Sequence, residues 1–81
     1  MIFSVTAEDI FGAWHSPTSC PVAMALRRIL GTSNVRVETK TVMIEDRSYD
    51  LPQIVYMAVL SYDVYCFFRP LKCKWEEINN G

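Results

Sequence analysis

The chain has only three glycines, Gly12, Gly31 and Gly81, and none falls in a phosphate-cradling run. A P-loop and a dinucleotide fingerprint both need clustered glycines, so nucleotide-dependent chemistry is not expected. Histidine occurs once, as His15, and the cysteines Cys20, Cys66 and Cys73 are odd in number, so they cannot close a disulfide framework within one chain. There is no excess of positive charge either. Eight Lys and Arg stand against nine Asp and Glu, a formal net charge of -1, which leaves no electrostatic footprint for sequence-independent binding to phosphate backbones. The longest charge-free run with helical character, Leu51 to Tyr62, is twelve residues, short of the roughly 20 that span a membrane.

What is present suits a small folded domain. Eighty-one residues allow one domain, here taken as 1–81, and 51% hydrophobic against 21% charged residues is the balance of a globular chain. Met1-Ile2-Phe3-Ser4-Val5 lacks a basic leader and runs straight into Thr6, Glu8 and Asp9, so it does not read as a signal peptide. The expected location is the cytoplasm, where the thiols would stay reduced.

Ile2, Phe3 and Val5 suit a short strand, and Thr6 with Asp9 three residues on reads as the start of a short helix closed by Gly12. Ala13 to Ser19 reads as a loop. Pro21 then opens a helix in which Val22, Ala25, Leu26, Ile29 and Leu30 recur at helical spacing until Gly31, with Arg28 facing solvent. Val35, Val37, Val42 and Ile44 alternate with polar residues as strands of a hairpin turning near Thr39 and Lys40, and Glu45-Asp46-Arg47 reads as a second turn. Pro52 opens a further helix to about Tyr62, with Ile54, Val55, Ala58 and Tyr62 as its core stripe. After Pro70, Leu71, Cys73 and Trp75 alternate with Lys72, Lys74 and Glu76 as a last strand before a polar tail, Asn79-Asn80-Gly81. The expected fold is α+β: a small antiparallel sheet of three to four strands, two main helices packed on one face, and a short N-terminal helix.

Three stretches carry a resemblance. Val5-Thr6-Ala7-Glu8-Asp9-Ile10 resembles a V-T-x-E-D-I opening, Cys20 to Arg27 a C-P-[VI]-A-x-A-L-[RK] segment, and Tyr49-Asp50-Leu51-Pro52 a Y-x-L-P segment before a helix. Together with Tyr62-Asp63 and a final strand led by Pro70, they are similar to a group of small uncharacterised proteins common in bacteriophage and bacterial genomes. The resemblance implies one folded unit and a phage or mobile-element source, and hence a host-cell cytoplasm; it implies no mechanism. The chain departs from the group after Tyr62-Asp63, where Val64-Tyr65-Cys66-Phe67-Phe68 replaces a glycine and polar residues. Five apolar residues in an expected loop mark a contact patch.

Chemistry-bearing residues are few. Cys20 beside Pro21 lies at the start of the main helix, where the dipole would lower a thiol pKa, and His15 is the only candidate base for thiol chemistry there. The bland alternative is a small buried sulfur that packs. His15, Cys20, Cys66 and Cys73 form a nominal zinc set, but separations of five and seven residues do not match the tight pairs of zinc sites. No metal and no cofactor is expected. The adjacent pairs Glu8-Asp9, Glu45-Asp46 and Glu76-Glu77 point apart and make no acid–base dyad. Arg69, Lys72 and Lys74 near Tyr65, Phe67 and Phe68, with Arg27 and Arg28 on the same face, could hold single-stranded nucleic acid; Glu76-Glu77 beside them argues against it.

The expected function is therefore non-catalytic protein binding rather than an enzyme activity. Its surface is expected at Tyr56, Leu60, Tyr65, Phe67, Phe68 and Arg69. The partner would be a host or defence protein blocked by a phage accessory protein, or a second copy forming a homodimer.

Overall fold

The computed structural model describes residues 1–78; the polar tail Asn79-Asn80-Gly81 lies outside the described residues. Five strands and three helices follow in the order β1 (Ile2–Val5), α1 (Ala7–Phe11), α2 (Pro21–Leu30), β2 (Val35–Val37), β3 (Thr41–Ile44), β4 (Arg47–Asp50), α3 (Gln53–Tyr65) and β5 (Leu71–Lys74). This is the α+β fold expected. The strands divide, however, between two antiparallel sheets: β1 pairs with β5, and β2, β3 and β4 form a three-stranded meander.

The start of α1 follows from its sequence. The Thr6 hydroxyl accepts from the Asp9 N–H at 3.3 Å while the Thr6 N–H donates to Asp9 Oδ2 at 2.9 Å, so two helix-start donors are satisfied reciprocally. In α2, Pro21 takes the first helical position and Gly31 closes it in the left-handed conformation at φ 67°. The apolar stripe of α2 buries Val22, Ala23, Ala25 and Leu26 completely. Its contacts run to α1, to β1 and to β2, so α2 is the element that both sheets share.

Beneath α2, Phe3 and Trp75 meet edge to face with ring centroids 5.2 Å apart. Register places Phe3 opposite Cys73, and the Met1 and Trp75 backbones exchange hydrogen bonds beyond the strand ends, at 2.8 Å and 3.2 Å. The Trp75 indole N–H is buried without a partner among the described residues. That costs about 1–3 kcal/mol, offset by burial of the ring.

Four local expectations are corrected. Arg47 belongs to a strand, Arg47–Asp50, and not to the second turn: Glu45 and Asp46 alone make that turn, at φ 51° and 69°, the paired positive values of a two-residue hairpin turn, and reverse the chain onto β3. Helix α3 runs a turn past Tyr62, so Val64 and Tyr65 are helical rather than loop residues. Its core stripe is Val55, Val59 and Tyr62; Ile54 is half exposed, because it lies one position out of phase with that i, i+4, i+7 row. Arg28 does not simply face solvent, since its guanidinium is tied to Asp9 and to the Ser4 carbonyl.

Candidate functional site

Helix α3 has little intrinsic reason to be a helix. Ile54, Val55, Val59 and Val64 are β-branched, no side chain caps its start at Pro52, and its last turn holds the carboxylate of Asp63 and no basic residue. Packing of the Val55, Val59 and Tyr62 row holds it in place. The opposite side of the helix is apolar and wet. Ile54, Met57 and Val64 are each more than half exposed, and with Ser61 they fall at i, i+3, i+7 and i+10, a continuous stripe. Tyr65, 76% exposed, flanks that stripe, and Phe67 extends the apolar surface beyond the helix.

The expected surface is thus partly assembled. Tyr65, Phe67 and Arg69 are exposed, with the Arg69 guanidinium 5.5 Å from the centre of the Phe67 ring. Leu60 and Tyr56 are half-buried, and Tyr56 packs against the core. Phe68 is a correction: it is buried and meets Tyr62 edge to face at 6.2 Å, because the chain turns inward after Cys66 toward β5. Sequence reading placed Val64 in the expected contact patch, but it assigned Ile54 to the core and left Met57 out of the surface. Only the phase of the helix, set by its buried row, identifies them.

Two of the basic residues are engaged within the fold: Arg27 donates to the Thr18 carbonyl at 2.8 Å, and Arg28 is held by Asp9 and the Ser4 carbonyl, while Lys72 and Lys74 are exposed on β5. The candidate metal ligands do not come together: among the described residues no three His, Cys, Asp or Glu side chains are grouped to hold a metal ion.

A second region is concave. His15, Pro17 and Cys20 from the loop before α2, Glu38 and Thr39 from the hairpin turn, and Asp63 of α3 surround a cavity of about 440 Å³. Its geometry is fixed locally. The Val37 N–H donates to the Pro17 carbonyl at 2.7 Å, tying loop to strand, and the His15 ring stacks on Tyr62 with centroids 4.3 Å apart. Cys20 is the N-cap residue of α2 as the sequence suggests, but its sulfur is buried. Burial pushes its thiol pKa up, against the pull of the Ala23 and Val22 N–H groups, and the Asp63 carboxylate pushes it further up. The expected lowering by the helix start is therefore reversed. Burial likewise raises the pKa of Cys73, while Cys66 is exposed.

No family model matches the chain, and neither a curated protein nor a solved structure matches it.

Proposed function

We propose that this protein acts by non-catalytic binding to another protein through the outer face of α3 and the segment that follows it. The observation that carries this reading is the stripe of Ile54, Met57 and Val64, continued by Tyr65 and Phe67: large apolar side chains left wet on a helix whose own sequence barely favours helix. An interface that covers such a stripe would contribute binding energy and also stabilise α3. Arg69 over Phe67 supplies the cationic edge common around aromatic anchors.

The first partner to test is a second copy, since one continuous stripe on one helix can pair with itself about a two-fold axis. The wider role, that of an accessory protein that binds and blocks a host or defence protein in the host-cell cytoplasm, is an analogy from the phage or mobile-element source that the resemblance implies. The experiment is light scattering across a dilution series, comparing wild type with Met57→Lys plus Val64→Lys. A wild-type dimer that the double variant splits, with helical content unchanged, supports the reading. Wild type and variant that remain equally monomeric remove self-association, and a variant that retains every complex formed by wild type removes the α3 face altogether.

A further inference from the structure

Taking the α3 face as a protein-binding surface, we infer that α3 pairs with α3 of a second copy of this chain in antiparallel orientation, Met57 of each helix seated over Ser61 of the other. Ile54, Met57, Ser61 and Val64 follow at steps of three, four and three residues, the spacing of a seam along which one helix packs on another at a shallow angle. No charge falls on the seam, so two copies meet there without repulsion. Among the described residues α3 is also the one element with no neighbour running close along its backbone, and its outer side is open to a second helix.

Side-chain size sets the direction. With a two-fold axis through the middle of the seam, Ile54 faces Val64 of the second copy and Met57 faces its Ser61, and each pairing occurs twice. Every layer then joins a larger side chain to a smaller one, and the short Ser61 leaves room for the long, unbranched Met57. A parallel pair would instead set Ser61 against Ser61, a gap in the seam, beside a crowded layer of Met57 against Met57. Antiparallel order also lays the C-terminal end of each helix dipole along the N-terminal end of the other, and the start of α3 has no side-chain cap of its own.

The area is sufficient. Ile54, Met57, Val64, Tyr65 and Phe67 are each half to three-quarters exposed, and at about 150–250 Å² for a whole large side chain they offer about 600 Å² per copy. A pair that covers them buries about 1,200 Å², above the roughly 1,000 Å² that a specific interface needs. Tyr65 and Phe67 lie past the C-terminal end of the seam, so antiparallel order puts them beside the start of the other copy's helix and lengthens the contact at both ends.

The test uses the whole chain and two seam variants, Met57→Glu and Ser61→Lys, with light scattering for mass and circular dichroism for helical content. Wild type should show a dimer mass that falls on dilution. Each variant alone should weaken self-association about tenfold, and an equimolar mixture should recover the dimer, because only antiparallel order sets the new carboxylate of one chain against the new ammonium of the other. Both positions lie off the buried row, so helical content should hold; should either variant lose it, Met57→Lys with Ser61→Glu repeats the test. A wild type that is monomeric at every concentration overturns the inference and leaves the α3 face to a different protein. A dimer that both variants weaken but their mixture does not restore overturns the antiparallel geometry alone. A dimer that neither variant weakens overturns the α3 face as its interface.

Discussion

Arg28 grips Asp9 with two parallel contacts, Nε to Oδ1 at 3.1 Å and Nη2 to Oδ2 at 2.9 Å, and the same Nη2 reaches the Ser4 carbonyl at 3.0 Å. One side chain of α2 thereby fixes β1 and α1 together, through a carboxylate that also caps α1. Burial pushes the Asp9 carboxyl pKa up, but Arg28 and the Thr6 N–H and hydroxyl outweigh it and leave the carboxyl below its ordinary value. A lowered carboxyl stabilises the fold above the unfolded pKa of about 3.9, and that contribution fades as pH falls through the folded value. Arg28→Ala should cost about 2–3 kcal/mol near neutral pH, because it strands a mostly buried carboxylate. The urea midpoints of wild type and variant should converge in acid; parallel midpoints across the pH range would show that the pair adds nothing.

Phe67 and Phe68 are adjacent and opposite in consequence. Phe68→Ala removes a core ring and should cost about 3–4 kcal/mol, a large share of what so small a domain has. Phe67→Ser should move stability by no more than about 0.5 kcal/mol while weakening any complex formed through the α3 face. Thermal melts and light scattering on the two single variants separate these effects.

Neither the fate of Phe68 nor the phase of α3 was legible in the sequence. Gln53–Tyr65 is apolar on almost every side, so no periodicity tells the Val55, Val59 and Tyr62 row from the row of Ile54, Met57 and Val64. In α2, by contrast, apolar and basic faces are distinct, and the sequence places Pro21, Leu26 and Gly31 where the structure has them. Strand β4 escaped for another reason. Arg47, Ser48 and Asp50 are polar and exposed, so an edge strand with one half-buried tyrosine leaves no alternating signal. The carboxylates of the cavity belong to segments far apart in sequence, and nothing local announces that Asp63 faces Cys20.

The thiols should rank by access. Cys66 is exposed and should alkylate first in the folded protein, with Cys20 and Cys73 slowed by burial and their raised pKa values. Mass spectrometry after brief treatment with iodoacetamide at neutral pH reads the order. Fastest labelling at Cys20 would revive a thiol-based activity.

Cys66 holds the left-handed cap of α3 at φ 57°, where a side chain beyond hydrogen is strained. Cys66→Gly should stabilise the fold by about 1 kcal/mol, or about 4–8 °C in Tm for a domain of this size. A lower Tm would mean that the Cys66 side chain makes contacts that outweigh the strain.

The pairing of Ile2–Val5 with Leu71–Lys74 has a consequence for the order of folding. Synthesis delivers β1 well before its partner, so Phe3 stays without the Trp75 ring while everything between them is made. The meander of β2, β3 and β4 needs only neighbouring residues and can form early; closing β1 on β5 must overcome the loop entropy of everything that lies between them. Until then an apolar strand waits beside α2 with an open edge, and this interval is when the nascent chain is most exposed to aggregation.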